Sequence, residues 1–187
     1  MNFLKILTLS IGLFLISNKS FSQCFEIESI LVDACNNGSG TTADEGYNEM
    51  FRMKIGGTAL NTSTLSVNWP AQTWLGLIQN ATTASKVAQL NTAITAAGSC
   101  GRILEPTGGV LPANSTVILV TSQNLDTTLN SFSSLTSTIY MIFQNNPSRL
   151  AGHFANYSLP AATRTLSVSF GGGCSDSVTY QKANLVT

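Results

Sequence analysis

Short segments in which every second residue is apolar constrain this chain more than anything else it contains. In 47–55, Phe51, Met53 and Ile55 alternate with Met50, Arg52 and Lys54; in 64–69, Leu65, Val67 and Trp69 alternate with polar neighbours before Pro70 ends the run. In 163–170, Leu166, Val168 and Phe170 alternate with Thr165, Ser167 and Ser169. Successive side chains of a strand point to opposite faces, so each segment predicts a strand with one buried and one wetted face. Further strands are predicted over 24–32, over 137–143 with Ile139, Met141 and Phe143 on one side, and over 176–180. Val117-Ile118-Leu119-Val120 is apolar on both faces, which predicts a central strand covered from each side. About seven to eight strands separated by turn residues read as an all-β sandwich. One departure interrupts them. Val87, Leu90, Ile94 and Ala97 fall at helical spacing ahead of Gly98, predicting a single inserted helix over 84–97, placed as a crossover on the sandwich edge. The stretch 125–135 reads as a short helix or an irregular turn, and 36–42 as a loop.

The first 23 residues carry Lys5, an apolar run over 6–16 and small residues at Ser20 and Ser22, the pattern of an export signal. An apolar run of that length is too short to cross a hydrocarbon core of roughly 30 Å as a helix, so the expectation is a signal peptide over 1–23 and one domain over 24–187, secreted or at the cell surface. Cys24, Cys35, Cys100 and Cys174 all lie beyond the signal, and an even number in an oxidising compartment predicts two disulfides. Three connectivities are open. The preferred one joins Cys35 to Cys100 and Cys24 to Cys174, tying the first strand to one of the last. No C-x-x-C pair suggests zinc or a redox dithiol.

Charge narrows the partners. Only 10% of residues are charged, while Ser, Thr and Asn fill 60 of the 187 positions, so surface polarity is mainly uncharged. Without Lys5 and Lys19 the chain has seven basic and nine acidic residues and no basic cluster, which argues against nucleic acid. An extracellular protein or a glycan is the partner class that remains.

Two blocks carry a family resemblance. Asp44-Glu45-Gly46-Tyr47-Asn48-Glu49-Met50-Phe51-Arg52-Met53 leads an acidic and amide-rich segment straight into an alternating strand, and Gly109-Val110-Leu111-Pro112-Ala113-Asn114 introduces the hydrophobic run 115–120 through a Leu-Pro turn. Both resemble the lamin-tail domain in its bacterial, extracellular form. The resemblance implies an immunoglobulin-like β-sandwich, usually one module of a larger secreted or surface protein, acting in adhesion, spacing or binding without catalysis. The inserted helix, the Thr/Ser-rich loop before Asp44 and the four cysteines depart from the minimal pattern.

The residues that could carry chemistry are few. His153, the only histidine, has no sequence-local acid or nucleophile and no G-x-S-x-G elbow accompanies it; it reads as a half-buried or surface residue on a strand. Gly171-Gly172-Gly173-Cys174 lacks the Lys and Ser/Thr of a phosphate loop and reads as a turn. Asp33, Asp44, Glu45 and Glu49 flank one loop and form an oxygen-rich set that could hold calcium, the one cofactor the sequence suggests. The competing reading makes Asp44 and Glu45 solvated and Glu49 a rim charge paired with Arg52 or Lys54. A glycosidase would need two carboxylates across a cleft, and Glu26 with Glu28 or Glu45 with Glu49 show no sign of one. Trp69 continues an apolar strand face and reads as core. Trp74 is the candidate binding residue, an aromatic ring suited to stacking on sugar, which makes a carbohydrate-binding module the main alternative.

Overall fold

The computed structural model describes residues 23–32, 34, 45–148, 151–154 and 162–185. These residues form eleven strands and one helix longer than a single turn. The strands are β1 (Phe25–Leu31), β2 (Met50–Ile55), β3 (Leu60–Asn61), β4 (Ser66–Asn68), β5 (Leu77–Ile78), β6 (Arg102–Leu104), β7 (Val110–Leu111), β8 (Thr116–Val120), β9 (Thr138–Gln144), β10 (Thr163–Ser169) and β11 (Ser175–Gln181). A four-residue helix α1 (Glu45–Asn48) precedes β2, and α2 (Ala81–Ala96) separates β5 from β6.

The larger sheet runs β1-β2-β8-β9, with β5 and β6 sharing the far side of β9. β1–β2, β2–β8 and β5–β9 pair antiparallel, whereas β8 and β6 both run parallel to β9. The smaller sheet runs β11-β10-β4, all antiparallel, and β3 pairs with β7 as a two-stranded ribbon. The two main sheets pack face to face. Phe25, Phe51, Met53, Val117 and Leu119 from the larger meet Val67, Trp69, Leu166, Val168 and Phe170 from the smaller in one buried core. Burying such a side chain contributes roughly 1.5–3 kcal/mol, so this interface is a large source of stability.

The expectation for 117–120 is met in detail. Val117 and Leu119 point into the sandwich, while Ile118 and Val120 point the other way into a second core with Met141 and Phe143. Helix α2 supplies the lid of that second core through Val87, Leu90 and Ile94. Its place is therefore a sheet face and not the sandwich edge that the sequence suggested, because β8 and β9 are apolar on both sides and their outer faces would otherwise meet water. The helix starts at a capping box, with Asn80 Oδ1 accepting the Thr82 and Thr83 N–H groups and the Asn80 N–H donating to Thr83 Oγ1. The connection 121–137 has no regular helix; its Leu125, Phe132 and Leu135 also pack into the second core.

Four short strands, β3, β5, β6 and β7, lie outside the expected set of seven to eight. Each is two or three residues long, too short to show a period. Tyr47, expected at the start of a strand, lies in α1.

Cys24 and Cys174 are bridged, with Cα atoms 5.9 Å apart. The bridge joins β1, an edge of the larger sheet, to β11, an edge of the smaller one. A hydrogen bond from the Ile27 N–H to Asp176 Oδ2 (2.7 Å) crosses the same seam. The second expected bridge is corrected at its described end: Cys100 is a free, exposed thiol, and Cys35 lies outside the described residues. Among the described residues no helix is long and apolar enough to cross a membrane.

Candidate functional site

Two places concentrate polar side chains, one inside the sandwich and one at its surface. The interior one begins with period-two geometry. β9 turns Ile139, Met141 and Phe143 toward α2, so Ile142 and Gln144 face the sandwich interior. Likewise Glu49, one step of the alternation before Phe51, falls on the buried face of β2. Glu49, Gln144 and His153 are all fully buried.

A buried polar group is costly unless hydrogen-bonded, and these groups form one network. Gln144 Oε1 accepts the Trp69 indole N–H (2.7 Å), Gln144 Nε2 lies 2.7 Å from His153 Nε2, and it donates to Thr121 O (3.2 Å). The Glu49 carboxylate accepts the main-chain N–H of His153 at short range and that of Phe154 (3.3 Å). His153 Nδ1 is 3.9 Å from Glu49 Oε2. The Glu49 main chain is held as well, its carbonyl accepting the Thr121 N–H (3.0 Å) and hydroxyl (2.9 Å). Gly152 lets this carboxylate approach, because a Cβ there would lie 2.6 Å from Glu49 Oε1 and one of the two would have to shift. The Trp69 ring meets Phe51, His153 and Phe154 edge-on, with centroids 5.3–5.7 Å apart.

This arrangement revises the reading of two residues. His153 is a core residue in a bend, not a half-buried or surface residue on a strand. Glu49 is neither a rim charge nor open to an ion from solvent, since its oxygens are turned inward onto backbone N–H groups. Arg52 instead pairs with Glu28 (2.9 Å), which a bulge in β1 sets opposite it, and Lys54 donates to Asn114 O (2.7 Å). Trp69 is core, as read. Of the four expected calcium ligands, Asp33 and Asp44 lie outside the described residues and Glu45 opens α1 half-buried. Among the described residues no group of three or more His, Cys, Asp or Glu side chains could hold a metal.

The surface place is built around Trp74. Residues 69–76 connect β4 to β5 and are pinned at three points: the Trp69 indole on Gln144, the Ala71 N–H on His153 O (3.0 Å) and Gly76 O on the Asn145 N–H (2.8 Å). Trp74, half-buried, packs on the main core and lines a cleft of about 340 Å³ with Asn61, Thr62, Ser63, Leu77, Gly108 and Gly109. The far wall is the β3–β7 ribbon and its flanking turns. Gly108 and Gly109 have φ of 60° and 71°, and a Cβ on Gly109 would lie 2.7 Å from Thr62 Oγ1, so that wall stays bare backbone. A second cleft of about 190 Å³ shares Thr62 and Leu77 and continues past Ile78 and Gln79 to Glu105. Among the described residues no Lys or Arg lines either.

Of the sequence-predicted candidates, only Trp74 lies at this cleft. Asn61, Thr62, Gln79 and the two glycines were not legible, because they come from three separate turns without a motif. Comparison with protein-family models, curated proteins and solved structures finds no match to this chain.

Proposed function

We propose that the chain is a non-catalytic extracellular module, a lamin-tail-like sandwich of immunoglobulin-like character that serves adhesion, spacing or binding within a larger exported protein. The burial of the imidazole–carboxylate pair carries the reading. Acid–base or nucleophilic catalysis needs a histidine or carboxylate within hydrogen-bond reach of a substrate. His153 and Glu49, the pair best suited to it, are wholly buried and engaged with Gln144, Trp69 and backbone N–H groups. Their chemistry is spent on holding one bend in place. The Cys24–Cys174 bridge supports the extracellular assignment, since such bonds persist in oxidising compartments.

The test is a turnover panel on the purified, oxidised chain: aryl esters, aryl glycosides, casein and a set of polysaccharides. No turnover above buffer is expected with any of them. Turnover that survives repurification and disappears in His153→Asn or Glu105→Gln would overturn the reading.

A further inference from the structure

We infer that the Trp74 cleft binds a segment of a neutral oligosaccharide, with Trp74 as the stacking platform. The inference rests on the non-catalytic reading and names the ligand class of the module. Four observations converge on it. The first is Trp74 itself, which packs against the core and also lines the cleft, so the core holds it before any ligand arrives. An aromatic platform held rigid loses little entropy on binding.

The second is the anchoring of its loop. A buried carboxylate holds His153, the His153 carbonyl holds Ala71, and Asn145 holds Gly76, so the segment bearing Trp74 is tied on both sides. On the Gly76 side the tie is to the end of β9 and not to the buried network. The third is the chemistry of the walls. Asn61, Thr62, Ser63 and Gln79 each carry groups that donate and accept, as hydroxyl recognition requires, while Asn61 Oδ1 is taken by the Ser63 N–H and directs its amide nitrogen elsewhere. The fourth is charge. Among the described residues no cation lines either cleft and Glu105 stands at one end, so none of them offers an anionic ligand a counter-charge, whereas a neutral polyol needs none. The two clefts, of about 340 and 190 Å³, share Thr62 and Leu77, and the larger one alone falls within the size of small-ligand sites, roughly 300–1,000 Å³.

The experiment titrates the oxidised chain with cellohexaose, xylohexaose, mannohexaose, laminarihexaose and chitohexaose, with hexagalacturonate as the anionic comparison. Calorimetry and tryptophan fluorescence are the readouts. Saturable binding of at least one neutral hexasaccharide is expected, at least tenfold tighter than hexagalacturonate. Trp74→Ala should weaken it by at least tenfold. Because Trp74 also touches the core, Ser63→Arg is the second variant: it fills the cleft from an exposed turn and should weaken binding by a similar factor with an unchanged melting temperature. Binding of none of the hexasaccharides, or binding that both variants leave intact, overturns the inference while leaving the module reading standing. The appearance of new reducing ends in the bound sample overturns the module reading instead, whatever happens at Trp74.

Discussion

The side chain of Glu49 shows how one residue can organise a protein from inside. Its carboxylate accepts two backbone N–H groups of the 152–154 bend, and the bend in turn fixes Ala71 and the loop bearing Trp74. Gly152 makes the approach possible. Gly152→Ala should cost about 1–3 kcal/mol by forcing the carboxylate away, read by urea denaturation, whereas Gly57→Ala, with open space around its Cβ, should change stability by less than about 0.5 kcal/mol. A second residue gives a pH prediction. The hydroxyl and N–H of Thr128 donate to the Asp126 carboxylate (2.6 and 2.8 Å), which holds its pKa below the ordinary 3.8 against a smaller opposing effect of burial. Folding therefore favours the ionised form: its contribution is complete above pH 3.8 and is lost as pH falls through the lower folded value. Carboxyl NMR titration should find the Asp126 midpoint below 3.8, and Thr128→Val should raise it; an unmoved midpoint would contradict the assignment. Each carboxylate had a sequence signal, though Glu49's partner had none. The alternation Phe51, Met53, Ile55 extended back by one step reaches Glu49, and Asp126 precedes Thr128 by the two residues of a side-chain turn.

At the level of elements, α2 and β6 depend on each other through a residue that no periodicity marks. Asn91, in the middle of the helix, donates its amide N–H to Ile103 O and accepts the Ile103 N–H, both at 2.8 Å. Those backbone groups face away from β9, so the amide does for the outer edge of β6 what another strand would do. Asn91→Ala should destabilise by about 1–3 kcal/mol, because two partly buried backbone groups lose their partner. Amide hydrogen exchange should speed up at Ile103 ahead of the rest of the larger sheet. Legibility at this scale followed the length of the alternating pattern, which for β4 extends past the strand to Leu65 and Trp69. The long strands β2, β8, β9, β10 and β11 and the helix repeat their pattern often enough to be read, whereas β3, β5, β6 and β7 take their shape from the neighbours they pair with. These short strands and their turns build the Trp74 cleft, so the candidate site was the least readable part of the chain.

Across the whole molecule, the Cys24–Cys174 bridge closes a loop of 150 residues and ties the edge strands of the two sheets together. The chain-entropy model assigns such a closure about 5 kcal/mol. Reduction, or Cys24→Ser with Cys174→Ser, should lower the melting temperature by roughly 10–20 °C for a chain of this size. A change under 3 °C would mean that the β1–β11 seam holds without it. The sequence by itself determined the β-rich class, the one long helix and the two-faced burial of Val117-Ile118-Leu119-Val120, because each follows from local period, whereas the Cys24–Cys174 pairing was only the preferred one of three connectivities. Only the tertiary structure decided that α2 covers a sheet face, that β8 and β9 run parallel, that Glu49 and His153 share the core with Trp69, and that turns distant in sequence meet at Trp74. Those outcomes depend on which faces are left uncovered once the strands have paired, and that quantity exists only when the sheets are assembled.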